Sequence, residues 1–292
     1  MRIGSAVHLE FLPVVTRADL LDCPPEHRLD QRFLNLPMRR EPMQVPTGES
    51  FDMHLDKRTQ RRRRMRFWRA LGEVGYATGE RVMLITSTPI SLGAALLRWS
   101  HADVALDDHA MLERYAKLRP HVLHGPLSSL VSLAERLLAT PQVRWRPRIV
   151  ISAAEELSDA KRALLESAFS AKVADFYSAA ELGLIAYSKP GFPGYQVLTN
   201  EFHLEMLAAV SGKRTGPERL VVTDLVPGAM PLIRFDTGDL VQRDWARASA
   251  LSPAPIVGIS GRETVRVERK PRLVSTTLPV GAPESDLSVC YQ

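Results

Sequence analysis

Between residues 82 and 176 the chain alternates short apolar runs with amphipathic stretches, and that alternation limits its possible folds more than any other feature. Val82-Met83-Leu84-Ile85, His121-Val122-Leu123-His124, Arg148-Ile149-Val150-Ile151 and Lys172-Val173-Ala174-Asp175-Phe176 are short and largely apolar, as strands of a buried sheet are. Between them, Met111, Leu112, Tyr115 and Leu118 share one helical face behind a capping Asp107 or Asp108. Leu127, Leu130, Val131, Ala134, Leu137 and Leu138 also recur at helical spacing, and Ser158 caps a helix running to Phe169. This order predicts an α/β fold, a parallel sheet with helices packed on it.

The flanks differ. Residues 1–50 are rich in proline and arginine and are expected to be irregular, apart from a weak helix at Arg17–Asp22. A long helix is predicted over 55–74, stopping at Gly75, with a buried stripe of Leu55, Met65, Trp68 and Leu71. After Gly191 the rhythm becomes that of short strands at 202–207, 219–225, 232–235 and 240–243, divided by signals such as Ser211-Gly212 and Pro227-Gly228. A smaller antiparallel β subdomain is therefore expected to follow the parallel sheet. The predicted division is 1–190 for the α/β core with its irregular start, 191–266 for the β-rich part, and 267–292 for a poorly ordered tail.

Composition excludes some classes. A net charge of +5 on 292 residues permits attraction to anions without making a nucleic-acid binder. Cys23 and Cys290 lie at opposite ends with no C-x-x-C spacing, so neither a disulfide framework nor a thiolate metal site is expected, and a reduced, cytoplasmic setting is. The start lacks the layout of a signal peptide. The longest uncharged stretch, 82–97, is shorter than the roughly 20 apolar residues of a spanning helix, so no membrane partner is expected.

Three strings carry chemical information. Ser152-Ala153-Ala154-Glu155-Glu156-Leu157 follows a strand with small residues, which let a planar ligand approach the backbone. Asp175-Phe176-Tyr177-Ser178-Ala179-Ala180-Glu181-Leu182-Gly183 offers an aromatic face to a purine and a carboxylate to a magnesium ion. Pro231-Leu232-Ile233-Arg234-Phe235-Asp236-Thr237-Gly238-Asp239 reads as a tight Thr-Gly turn that presents a carboxylate to ribose hydroxyls. Taken singly, the first two are equally met by a strand-to-helix turn and a capped turn. The third is also met by a hairpin whose aspartates satisfy backbone donors.

In order and spacing, the three together resemble the adenylate-forming superfamily and, within it, the phenylacetate–CoA ligase branch. Pro120-His121-Val122-Leu123-His124-Gly125-Pro126 is similar to the branch's "P-x-V-L-x-G" segment, and Ser152 to Leu157 to its "S-G-A-E-x-L" loop. Tyr177 to Gly183 resembles "Y-G-x-T/S-E-x-G", Pro231 to Asp239 resembles "P-L-I-R-Y-x-x-G-D", and Gly261-Arg262 its "G-R". The resemblance runs over residues 9–266 and implies the N-terminal domain of an adenylate-forming enzyme. It implies ATP-dependent activation of a small carboxylic acid as an acyl-adenylate, with Mg2+ as cofactor and CoA as an acceptor. By position, Ala153, Ala154, Glu155, Tyr177 and Ser178 would line the adenine, Asp239 would take the ribose, and Arg262 would sit beside ribose or phosphates. Glu181 would hold the metal, and Thr47 would serve the phosphates; these two are the catalytic candidates.

The sequence also departs from that pattern. The glycine- and hydroxyl-rich phosphate loop stands as Gln44-Val45-Pro46-Thr47-Gly48-Glu49-Ser50, keeping only Thr47-Gly48. Ala180 replaces a hydroxyl residue, and thirty residues after Arg262 are too few for the C-terminal lid domain, which is expected to be missing. Two alternatives stay open beside an active ligase: a degenerate homologue that binds nucleotide or acyl group, with a partner protein supplying the lid, and a fragment of a longer enzyme. A weaker further reading is nucleic-acid binding by the basic helix at 58–69, where Arg58, Arg61, Arg62, Arg63, Arg64, Arg66 and Arg69 crowd together. Its plainer counterpart is a solvated face, and nucleic acid is not expected as a partner.

Overall fold

A computed structural model of the protein describes residues 9–44, 50–87, 92–192, 194–208, 217–247 and 255–262. The chain forms two compact units, one of residues 61–198 and 243–259, the other of 1–60, 199–242 and 260–292.

The chain opens with α1 (Arg17–Asp22), where Thr16 and Asp19 form a reciprocal capping box. An antiparallel pair follows, β1 (Arg39–Gln44) with β2 (Ser50–Leu55), where the sequence predicted irregular chain. β1 reads Arg-Arg-Glu-Pro-Met-Gln and carries no apolar alternation, so nothing local announces it. Next comes α2 (Lys57–Glu73), ended by Gly75 at φ 98°. The predicted stripe is corrected here: Leu55 belongs to β2, Met65 is 59% exposed, and Arg66 is turned inward at 4% exposure beside Ala70 and Leu71.

The alternating region follows the predicted order, with a short helix and a strand added between the first strand and the next helix, where no element was expected. It comprises β3 (Val82–Ile85), α3 (Leu92–Leu96), β4 (Trp99–Ala102), α4 (Asp108–Leu118), β5 (Val122–Pro126), α5 (Leu127–Leu138), β6 (Ile149–Ala153), α6 (Asp159–Phe169) and β7 (Lys172–Ala179). Asp107 and Ser158 cap α4 and α6 as their sequences predict. With β8 (Gly183–Ser188) and β9 (Tyr195–Val197) these strands make one sheet in the order β4-β3-β5-β6-β7-β8-β9. Pairing is parallel from β4 to β7 and antiparallel from β7 to β9. The antiparallel part therefore begins at Gly183, before the change expected after Gly191, because a short turn sends the chain straight back along β7.

Side chains alternate between the two faces of this sheet. Leu123, Val150 and Val173 join the core made by Tyr115, Leu130, Leu133 and Phe169 of α4, α5 and α6. On the other face, Phe67 of α2 lies 5.5 Å from the His124 ring and 5.8 Å from that of Phe176. Order reverses between β3 and β5, since the chain leaves β3 toward β4 and returns on the opposite side. Such a switch point is where open α/β sheets place ligands. Gly125 sits at this reversal because a Cβ there would come 2.7 Å from Cβ of Ile85.

A four-stranded sheet has the order β10-β11-β12-β13, from β10 (Phe202–Ala208), β11 (Glu218–Asp224), β12 (Phe235–Arg243) and β13 (Ile256–Arg262), antiparallel from β10 to β12. The strands expected at 232–235 and 240–243 are corrected to one continuous β12, and the Thr-Gly turn between them is no hairpin. Thr237 to Asp239 sit instead at a register shift against β11, between Arg219 and Val221, with Gly238 at φ 75°. The α/β class, with a smaller antiparallel part after the parallel one, stands as the sequence predicts. The tail expected to be poorly ordered lies outside the described residues. Among those described, no helix is long and apolar enough to cross a membrane, and Cys23 is in no disulfide.

Candidate functional site

The carboxyl edge of the seven-stranded sheet brings the first two strings side by side. β6 and β7 run parallel with Ser152 opposite Asp175 and Ala153 opposite Phe176, so Ala153 and Ala154 leave the sheet next to Tyr177 and Ser178. Ala154 stands at φ 69°, a left-handed conformation that an L-residue adopts at a cost of roughly 1–3 kcal/mol. Glu155 turns toward α5, accepting from the Ser128 backbone N–H at 3.1 Å and its hydroxyl at 2.6 Å. That carboxylate ties the loop after β6 to the first turn of α5, where negative charge is favoured.

Beneath this edge lies a buried polar group. Ser152 is fully buried, and its hydroxyl faces one oxygen of the Asp175 carboxyl, working to lower that group's pKa. The other Asp175 oxygen accepts from the Tyr195 hydroxyl, while the Asp175 N–H donates to Oγ of Ser188 at 3.0 Å. Burial raises the Asp175 carboxyl above the ordinary aspartate range, more than the Tyr195 phenol lowers it. Burial, reinforced by that carboxyl, raises the Tyr195 phenol as well. Two residues before Tyr177, a buried carboxyl and the phenol bonded to it thus hold the strand.

Glu181 is buried, at 4% exposure, in the turn from β7 to β8. Its carbonyl and those of Ala180 and Leu182 accept from Arg63 and Arg66 of α2. These arginines are functional neighbours that sequence reasoning folded into a generic basic run. Their i,i+3 spacing was the available signal, but apolar periodicity does not report an inward guanidinium. His124, at the end of β5, is the other residue missed. Its Nδ1 lies 3.0 Å from the Ile151 carbonyl, and burial lowers its pKa, favouring the neutral ring.

The remaining candidates belong to the other unit. Asp239 lies in β12, its N–H donating to Oγ1 of Thr237 at 3.2 Å. Thr237 is buried, donating to the Leu220 carbonyl at 3.0 Å, and Asp236 is paired with Arg219. Arg262 closes β13, and its side chain lies outside the described residues, as does Thr47. Among the described residues no three His, Cys, Asp or Glu side chains gather as a metal site.

No known sequence family matches the chain, and no curated protein does. Solved structures do. A 2-hydroxyisobutyryl-CoA ligase in an open conformation with 2-HIB-AMP and CoA superposes with a TM-score of 0.65 at 17% identity, over 86% of this chain and 59% of that one. A malonyl-CoA ligase with methylmalonyl-CoA and AMP bound gives 0.53 at 17% identity, over 77% and 52%. The amide bond synthetase McbA of Marinactinospora thermotolerans gives 0.53 at 15% identity, over 76% and 48%. The protein therefore has the fold of the N-terminal domain of adenylate-forming ligases. It spans less than two thirds of the length of these neighbours.

Proposed function

We propose that this chain binds ATP and activates a small carboxylic acid as its adenylate, in the manner of the phenylacetate–CoA ligase branch, for transfer to a thiol such as CoA. The observation that carries this reading is the pairing of Ala153 with Phe176, which sets the loop after β6 beside the end of β7 that leads through Tyr177 to the Glu181 turn, in the fold of ligases solved with AMP-bearing ligands. Tyr177 and Ser178 would face the adenine across Ala153, Ala154 and Glu155. Asp239 would accept the ribose hydroxyls, Arg262 would stand by ribose or phosphate, and Thr47 would donate to the phosphates.

The residues fit a magnesium ion of one kind only. The buried Glu181 carboxylate belongs to no cluster of three or more such ligands among the described residues, which suits an ion held mostly by water and substrate phosphates. Mg2+ would supply neutralisation of phosphate charge. The protein's share is to orient the carboxylate and the nucleotide, which is most of what such chemistry asks of it.

A second reading has its own observation. Val45, Pro46 and Glu49 replace small and hydroxyl residues of the phosphate loop, removing a donor and adding a negative charge. On that reading the chain is a nucleotide- or acyl-binding homologue that acts with a partner protein. ATP–pyrophosphate exchange over a panel of aryl and aliphatic acids separates the two. Carboxylate-dependent exchange supports the ligase, and its absence with every acid favours the binder. Both readings predict that saturating Mg·ATP raises Tm. At a hundred times Kd the stabilisation is about 2.7 kcal/mol, or roughly 5 °C or more for a chain of this size. Asp239→Ala should abolish the shift, and no shift with any nucleotide in the unaltered protein sinks both readings.

A further inference from the structure

The turn that carries Glu181 is held in an unusual way. It reverses the chain between β7 and β8, with Ala179 paired to Gly183 and the Leu182 N–H donating to the Ala179 carbonyl at 3.1 Å. Carbonyls at such a turn ordinarily meet water. Here three in succession are taken by one helix: Arg63 donates through Nη1 to Ala180 at 3.2 Å and through Nη2 to Glu181, and Arg66 donates through Nη1 to Leu182 at 2.9 Å. The two arginines stand three apart, on one face of α2, and Arg66 is only 4% exposed. Gly183 completes the fit: at φ 76° it belongs to the left-handed region, and a Cβ there would press to 3.2 Å on Cγ of Arg63.

We propose that Arg63 and Arg66 are positioning residues that fix the Glu181 turn, and through it the direction of the Glu181 carboxylate toward a phosphate-bound divalent cation. The inference rests on the function proposed above for the nucleotide. Its chemistry favours arginine specifically. A planar guanidinium presents separate N–H groups that reach two successive carbonyls at once, whereas an ammonium is a single point on a flexible stem. Two such groups aimed at three backbone oxygens fix a peptide's orientation, which a hydrophobic contact of equal area would not. A site with no cluster of three such ligands among the described residues depends on that orientation, because few other protein groups share the ion.

Two measurements on Arg63→Met and Arg66→Met test this in the intact chain. Hydrogen exchange of the ligand-free protein reads the clamp without nucleotide: amides of residues 180–183 should exchange at least tenfold faster, with β6 and α6 unchanged. Thermal shift with ATP at graded Mg2+, beside adenosine without metal, reads the consequence. The Mg2+ half-point should rise at least fivefold while the adenosine shift stays as in the unaltered protein. Unchanged exchange at 180–183 overturns the clamp. Equal losses of the adenosine and Mg·ATP responses overturn the positioning role, since a merely structural defect would move both. If the unaltered protein responds to no nucleotide, the proposed function fails and the positioning of a metal ligand fails with it, while exchange still decides whether the clamp exists. Should Arg66→Met not fold, Arg63→Lys supplies the same readouts.

Discussion

Gly228→Ala should destabilise the unit containing β10, β11 and β12 by about 3–5 kcal/mol in a chemical denaturation experiment, far beyond the roughly ±0.5 kcal/mol of an ordinary surface change. A Cβ at Gly228 would lie 1.9 Å from Oγ1 of Thr59 and 2.4 Å from Oδ2 of Asp56. Those atoms have no room to retreat, because the Asp56 carboxylate is committed on both oxygens. One accepts from the Arg58 and Thr59 N–H groups at 2.8 and 3.0 Å, capping α2. The other accepts from the Thr59 hydroxyl at 2.7 Å and the Ala229 N–H at 2.9 Å, tying the loop before β12 to the start of the helix. Losing the cap alone costs about 1 kcal/mol, and each buried bond to a charged acceptor about 1.5–3 kcal/mol. Asp56→Ala should therefore cost a similar amount. Because both changes break the same network, the double variant should fall short of their sum by at least about 1 kcal/mol. Additive costs would show that Gly228 acts elsewhere.

The same carboxylate gives a pH dependence with a definite sign. Burial works to raise the Asp56 carboxyl, but the bonds from Thr59, Ala229 and Arg58 outweigh it and hold the group below the ordinary aspartate range. A depressed folded-state value contributes stability above the unfolded pKa of about 3.9, and that contribution is lost as pH falls through the folded value. The advantage of the unaltered protein over Asp56→Ala should thus be constant from neutral pH to about 5 and shrink in stronger acid. A gap that stays the same down to pH 2 would contradict the assignment.

How far the sequence announced all this varies with the range of the interactions. The strands at β3, β5, β6 and β7 were legible because each is short, apolar and buried on both faces, and the capping residues Asp107 and Ser158 act on their own helices. The run Leu184-Ile185-Ala186-Tyr187 carries the same signal for β8. α2 was found, but its inward face was not, since Met65 looked apolar and Arg66 did not. What buries Arg66 is a carbonyl 116 positions away, which no local pattern encodes. At Asp236-Thr237-Gly238-Asp239 local turn chemistry was overruled by the sheet. The strand continues, Gly238 is absorbed as a bulge, and Arg219 from the neighbouring strand takes up Asp236. The order of the site strings was legible as a resemblance. The buried acid Asp175 and the guanidiniums behind Glu181 were not, because their roles come from partners distant in sequence.

Arg234→Met should be as damaging as Asp56→Ala in the same unit, costing about 3–5 kcal/mol and freeing the N-terminal segment to protease. Arg234 is buried and holds Glu205 with two parallel bonds, Nε at 3.0 Å and Nη2 at 2.9 Å, while Nη1 donates to the carbonyls of Glu10 and Leu12. Its main chain continues the connection: the Val15 N–H donates to the Arg234 carbonyl at 2.9 Å, and the Asp236 N–H to the Val15 carbonyl at 2.8 Å. One residue thus joins β10, β12 and the chain before α1. Removing the guanidinium leaves a carboxylate that is 17% exposed without its counter-charge, and that uncompensated charge accounts for most of the expected loss. Arg234→Met with Glu205→Met should therefore recover at least half of it. Arg234 also stands at φ 50°, so Arg234→Gly relieves about 1 kcal/mol of backbone strain and should be milder than Arg234→Ala. Limited proteolysis supplies the second readout: new cleavage between residues 9 and 15 in the Met variant, suppressed in the double variant only if the backbone bonds at Val15 suffice alone. In the string that resembles a ribose-binding motif, Arg234 is accounted for by folding, which leaves Asp239 to carry the proposed contact with the nucleotide.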